Sequence, residues 1–188
     1  MEFIRKYLED SANLTDEDWH IFSSKLERKE YPKKTVILKM GQIENYLSFT
    51  EAGIIRYYIP QEEKNDHTIS FTFGNSFSSA YESFITQQSS KYQVETLTKT
   101  VQWKLSYQGL QEIYAQTIVG NLIGRLAAEG LYLETSRREI SFLSETPEER
   151  YLNLFKEQPK LIQYIPLKYI ASYIGISPQA LSRIRKRI

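Results

Sequence analysis

Cysteine is absent from the 188 residues, and histidine is limited to His20 and His67. The first absence removes disulfides, thiol nucleophiles, thiolate-held iron–sulfur clusters and Cys-type zinc sites. The second leaves two imidazoles far apart in sequence, too few for the three or more ligands of a catalytic metal or a cupin-type centre. No cofactor or metal is implied. Long apolar runs are missing too: none exceeds three residues, and Met1 to Asp10 mixes Glu, Arg, Lys and Asp with its apolar side chains. Neither a transmembrane helix nor a secretory signal is expected, so a cytoplasmic location without membrane contact is. With 41% hydrophobic and 25% charged residues, the chain has the make-up of a folded domain rather than a disordered or fibrous one.

One further absence is local. Between Leu161 and Ile188 there is no Asp or Glu, while Lys168, Arg183, Arg185, Lys186 and Arg187 supply five positive charges. The net charge of +1 therefore hides 19 basic against 23 acidic residues, or −4, over residues 1–160. A cationic end on a mildly acidic chain is an electrostatic footprint for phosphate.

Periodicity divides the chain into four zones. Residues 1–28 are expected to be helical: Thr15 caps a helix start, Asp16, Glu17 and Asp18 sit at the positive end of its dipole, and Trp19, Phe22 and Leu26 share a face. From Tyr31 to Leu105, short stretches rich in Val, Ile, Thr, Phe and Tyr predict strands at 35–39, 46–50, 53–59, 67–73, 92–97 and 100–105, with a short helix within 78–87. Six closely spaced strands suggest an antiparallel barrel or jelly roll. A helical period returns from Tyr107 to Thr135. There Val119, Leu122, Leu126, Glu129 and Leu133 keep the 3-4 spacing of a two-helix seam. A second apolar face, with Ile118 and Ile123, exceeds what packing on the barrel alone requires, which points to a homodimer. In the last zone Thr146, Pro147 and Glu149 start a helix that Pro159 should stop.

The segment from Ile165 to Ile188 has the demands of a helix-turn-helix. Two helices crossing steeply need a small residue at closest approach and a glycine in the turn, which Ala171 and Gly175 supply. Ile170, Ile174 and Ile176 meet Leu181 and Ile184. Ser177 is a good N-cap and Pro178 suits a first helical turn. In such a pair the second helix enters the major groove of duplex DNA with its N-terminal part at the base edges. Gln179 and Arg183, four apart, are the expected base readers, since Gln pairs with adenine and Arg with guanine. Ser177, Ser182, Lys168, Arg185 and Lys186 are expected at phosphates; for Arg187 contact and plain solvation are equally open.

Helical lead, short-stranded barrel, long helix and C-terminal helix-turn-helix together resemble the Crp/Fnr family of bacterial transcription regulators. The stretches Gly41 to Phe49 and Glu51 to Tyr58 are similar to that family's barrel signature, and Lys168 to Lys186 is similar to the tail common in its Bacteroidetes members. The resemblance implies an α+β fold, with a cyclic-nucleotide-binding-like jelly-roll sensor over 1–106, a dimerisation helix over 107–136 and a DNA-binding domain over 137–188. It implies a homodimer on a two-fold symmetric DNA site, a small-molecule effector, RNA polymerase as partner of an activator, and no catalysis. A strand-rich wing after the recognition helix is not expected, because the chain ends at Ile188. The family's sensors bind a cyclic phosphate through Gly-Glu and a later Arg followed by a hydroxyl residue. At the matching places stand Gly74 with Asn75, and Ser90 with Lys91. Only Lys91 could meet a phosphate, without the arginine fork. The alternatives are a ligand-sensing, protein-binding module with a degenerate DNA domain, and a cupin-type enzyme; the second lacks a His/Glu cluster.

Overall fold

A computed structural model describes residues 1–10, 12–61, 66–117 and 119–188. The chain forms two compact units, one of residues 1–57 and 71–129, the other of 58–70 and 130–188.

The first unit begins with helices α1 (Glu2–Glu9) and α2 (Asp16–Ser24). Thr15 caps α2 in a reciprocal box: its hydroxyl accepts the Asp18 N–H at 3.1 Å while the Asp18 carboxylate accepts the Thr15 N–H. The helix ends at Lys25, and Leu26 is not part of its face. Instead β1 (Leu26–Tyr31) pairs antiparallel with β8 (Thr100–Ser106), Leu26 opposite Leu105 and Tyr31 opposite Thr100. Leu-Glu-Arg-Lys-Glu-Tyr has no two-residue alternation, so only partnership with β8 makes it a strand.

Between them lie β2 (Val36–Leu38), β3 (Tyr46–Ala52), β4 (Ile54–Ile59), β5 (His67–Phe73), β6 (Ser76–Ser78), α3 (Tyr81–Thr86) and β7 (Gln93–Thr96). Among the described residues the strands form two four-stranded sheets, ordered β1-β8-β3-β6 and β2-β7-β4-β5. All six expected strands occur, β1 and β6 in addition. The β3–β4 turn needs Gly53: its φ is +108°, and a Cβ there would stand 2.3 Å from Thr100 Oγ1 and 2.8 Å from the Lys99 carbonyl oxygen.

The first sheet is two-faced. Leu47 and Phe49 of β3, Phe77 of β6, and Trp103 and Leu105 of β8 join one apolar cluster with Ile4, Leu8, Phe22, Leu110 and Ile113 of the helices. On the alternate positions Ser48 stands opposite Lys104 and Ser78, and Thr50 opposite Gln102 and Ser76. Thr50, Ser78 and Gln102 are buried. They satisfy one another: Thr50 Oγ1 lies 2.9 Å from Ser78 Oγ, which accepts from Gln102 Nε2 at 3.0 Å.

The helical zone after β8 is two helices, α4 (Tyr107–Gln116) and α5 (Gly120–Ser144). The break comes at Thr117, which is extended; its hydroxyl donates to the Ile113 carbonyl at 2.7 Å and accepts the Gly120 N–H at 3.0 Å. Ile118 lies outside the described residues. The last 15 residues of α5 belong to the second unit, which adds α6 (Pro147–Glu157), α7 (Pro159–Tyr164), α8 (Leu167–Tyr173) and α9 (Pro178–Arg185). Thr146 and Glu149 make the expected capping box on α6. Pro159 ends α6 but also opens α7, since proline is tolerated at a first helical position.

Candidate nucleic-acid interface and barrel cleft

Helices α8 and α9 are joined by Ile174 to Ser177 with Gly175 at φ +80°. The Ser177 hydroxyl accepts the Ala180 N–H at 3.2 Å, capping α9, so of the expected phosphate contacts this oxygen is committed and only its hydrogen is free to donate. Ala171, Ile170, Ile174, Leu181 and Ile184 are buried between the helices, with Ile176 half-buried beside them. The opposite face of α9 is polar: Gln179, Ser182, Arg183 and Lys186 recur at three- and four-residue steps and are all exposed. Ser182 thus shares the face of Gln179 and Arg183. Arg185 and, at the start of α8, Lys168 are exposed too, the Lys168 ammonium 4.7 Å from its neighbour Tyr169's ring. Arg187 is bound to Glu148 on α6 at 2.7 Å.

Along α5, Leu122, Leu131, Tyr132, Leu133, Ile140 and Leu143 are exposed and Leu126 half-buried, whereas Val119, just before the helix, is buried within its own chain. The 3-4 spacing runs on past Leu133 through Ser136 and Ile140 to Leu143. Following the period beyond Thr135 would have found both.

The four residues matched to the cyclic-phosphate site fall into two places. Gly74 and Asn75 form the β5–β6 turn, where the Asn75 N–H donates to the Thr50 carbonyl at 2.7 Å. Ser90 and Lys91 lie in the loop after α3. Ser90 is buried, its N–H bonded to the Gln42 carbonyl and its hydroxyl donating to the Tyr92 carbonyl at 2.8 Å. The Lys91 ammonium is paired with Glu82 at 3.0 Å, both largely exposed.

A separate polar cleft of about 300 Å³, its open mouth included, enters the first unit between Tyr31, Glu44, Ser48, Tyr57, Gln102 and Lys104. Burial pushes the Glu44 carboxyl up, while N–H donation from Tyr46 (3.0 Å), Ala80 and Asn45 and the field of Lys104 partly offset it. Burial pushes the Lys104 ammonium down; it sits 3.6 Å above the Tyr46 ring and 3.4 Å from the Tyr31 hydroxyl. Burial also lifts the Tyr31 phenol to about 12. None of these was singled out from the sequence. The signal was the alternation Ser48, Thr50 and Gln102, Lys104, which marks a polar sheet face.

Among the described residues no group of three His, Asp or Glu could hold a metal ion, and no helix is long and apolar enough to cross a membrane.

No protein-family model and no curated protein matches this sequence. Solved structures do match in fold. A c-di-GMP responsive global regulator, CLP of Xanthomonas campestris, superposes with a TM-score of 0.70 at 16% identity, over 92% of this chain and 91% of that one. A putative crp/fnr-family transcriptional regulator from Eubacterium rectale gives 0.71 at 15%, over 93% and 83%. FixK2 of Bradyrhizobium japonicum gives 0.71 at 14%, over 86% and 83%. At such identities the likeness is one of fold: this chain has the architecture of Crp/Fnr-type transcription regulators.

Proposed function

We propose that the protein is a homodimeric, sequence-specific DNA-binding transcription regulator of the Crp/Fnr type, cytoplasmic and without catalytic activity. It pairs through α5 and reads DNA with the helix-turn-helix of α8 and α9. The observation that carries this is the exposed α9 face of Gln179, Ser182, Arg183 and Lys186, with no acidic residue from Leu161 onward. Gln179 and Arg183 contact base edges; Lys168, Ser177, Ser182, Arg185 and Lys186 contact phosphates. Leu122, Leu126 and Leu133, exposed or half-exposed in one chain, are covered by a second copy, and Ile140 and Leu143 extend that seam. RNA polymerase is a partner if the protein activates.

With Arg187 tied to Glu148 and Arg183 at a base edge, Lys168, Arg185 and Lys186 of each chain meet phosphates, so that log affinity falls against log salt with a slope of about −5 for the dimer. Gel shifts of selected genomic fragments at stepped salt concentrations test this, with half-sites about 10 base pairs apart. A flat salt response, or no retarded duplex at low salt, sinks it.

The barrel acts as a sensor fold without the family's cyclic-phosphate residues. A cyclic phosphate needs an available cation, but Lys91 is bound to Glu82, and Lys104 shares its cleft with the Glu44 carboxylate. Losing two charge-assisted contacts costs on the order of a hundredfold in affinity. Calorimetric titration with cyclic AMP and cyclic GMP should show no binding tighter than about micromolar; a sub-micromolar constant would refute it.

A further inference from the structure

At the end of α8 the backbone carbonyls of Tyr173 and Ile174 lie where the helix has no N–H donors of its own for them. Two arginines from other elements supply them. Arg138 of α5 donates to the Tyr173 carbonyl at 2.9 Å, and Arg150 of α6 to the Ile174 carbonyl at 3.0 Å. Both guanidiniums lie over the ring of Phe142, each 4.6 Å from its centroid, and Arg138 also lies 4.2 Å from the Tyr173 ring. Phe142 occupies the space beside Gly175: a Cβ on that glycine would stand 2.8 Å from the ring. The glycine therefore serves a close approach as well as a positive φ. Also on α8, the Ser172 hydroxyl donates to the Asp66 carbonyl and accepts the Thr68 N–H at 2.7 Å, while Arg138 reaches the Thr68 carbonyl at 3.3 Å.

All these groups belong to the second unit. Cationic forks on the negative end of α8 are favoured by the helix dipole, and a guanidinium stacked on an aromatic face has one preferred plane. We propose that Phe142, with the Arg138 and Arg150 guanidiniums on its ring, is a positioning clamp: it sets the angle of α8 and α9 to the distal half of α5, and so the half-site spacing that the dimer accepts. This rests on the DNA-binding dimer proposed above. The clamp touches no DNA; it acts through α8 and its turn. Phe142 is itself 39% exposed, so shortening it opens no sealed cavity and the fold should survive.

The test is competition binding of the full chain to duplexes whose two half-sites are set about 9 to 12 base pairs apart, alongside a single half-site duplex. The unmodified protein should favour one spacing by about tenfold or more. Phe142→Ala should cut that preference at least about threefold and leave half-site affinity within about twofold; Phe142→Tyr, which keeps the ring, should restore it. Arg138→Lys, which keeps the charge and loses the fork, should move the preference in the same direction. Unchanged spacing preference in both Phe142→Ala and Arg138→Lys overturns the clamp. So does a loss of half-site binding equal to the loss on paired sites, which would mark a merely structural role. If the unmodified protein itself shows no spacing preference, the dimeric DNA-binding reading has failed, and the clamp with it.

Discussion

The barrel and α9 use polar side chains in opposite ways. In the barrel, Thr50, Ser78 and Gln102 turn inward and spend their hydrogen bonds on one another, and Arg56 is buried against Glu95 at 2.9 Å. On α9, Arg183, Arg185 and Lys186 turn outward, with no ion pair among the described residues. A buried polar group that is satisfied holds the fold together; an exposed cation without a carboxylate is left for something else to meet. What distinguishes scaffold from site here is where the hydrogen-bonding capacity goes, rather than polarity itself.

The contrast breaks most visibly at the seam. Leu126→Asp would place unpaired carboxylates in a dimer interface, at a cost of about 3–5 kcal/mol, yet leave a monomer whose acid is still partly open to water. Sedimentation should show monomers with an unchanged circular dichroism spectrum; a dimer persisting at micromolar concentration would mean that the stripe is spent within the chain, as Val119 is. Next in size is a pair of substitutions with crossed effects. Arg183→Ala should cost about 1–3 kcal/mol on the preferred duplex, relax one base pair per half-site and leave the melting temperature alone. Gln102→Leu should do the reverse, lowering stability by about 1–3 kcal/mol through its lost bond to Ser78 without touching DNA affinity. Equal shifts of both properties in either variant would dissolve the comparison. Lys168→Ala should be milder, weakening all duplexes alike and reducing the salt slope by about one per chain.

The smallest expected effect concerns pH. Burial holds the Glu44 carboxyl above its unfolded value, so the folded chain keeps this proton more readily than the unfolded one. The resulting penalty is absent at pH below the unfolded value and grows as pH rises through the higher folded one. Glu44→Gln should therefore melt higher than the parent at about pH 8 and equal to it at about pH 4. A constant difference between the two melting curves would place the effect elsewhere than in Glu44's charge.

Much of this was legible in the sequence because the signals were local. Thr15, Thr146 and Ser177 announce their helices through the cap each makes, and Ala171 and Gly175 declare a close crossing. The strand at 67–73 has the stated bounds. What failed to show was non-local. Leu26 to Tyr31 carries no strand alternation and is defined by β8, far along the chain. The alternation in β3 and β8 is visible, but not which side is covered: helices α1, α2 and α4 take the apolar face, so the barrel's inner face is the polar one. Glu44 sits in a loop with no period, and only the fold brings it opposite Lys104.

Strand β1 has a consequence in time. Leu26 finds its partner at Leu105, so a chain emerging from the ribosome holds residues 1–31, with α1, α2 and their apolar faces, for some seventy more before β8 arrives. Closing so long a loop is paid in entropy before any contact rewards it. Refolding should accordingly fall in the slow, millisecond-to-second regime of sequence-distant sheets, and a nascent chain halted before residue 100 would hold β1 without its partner.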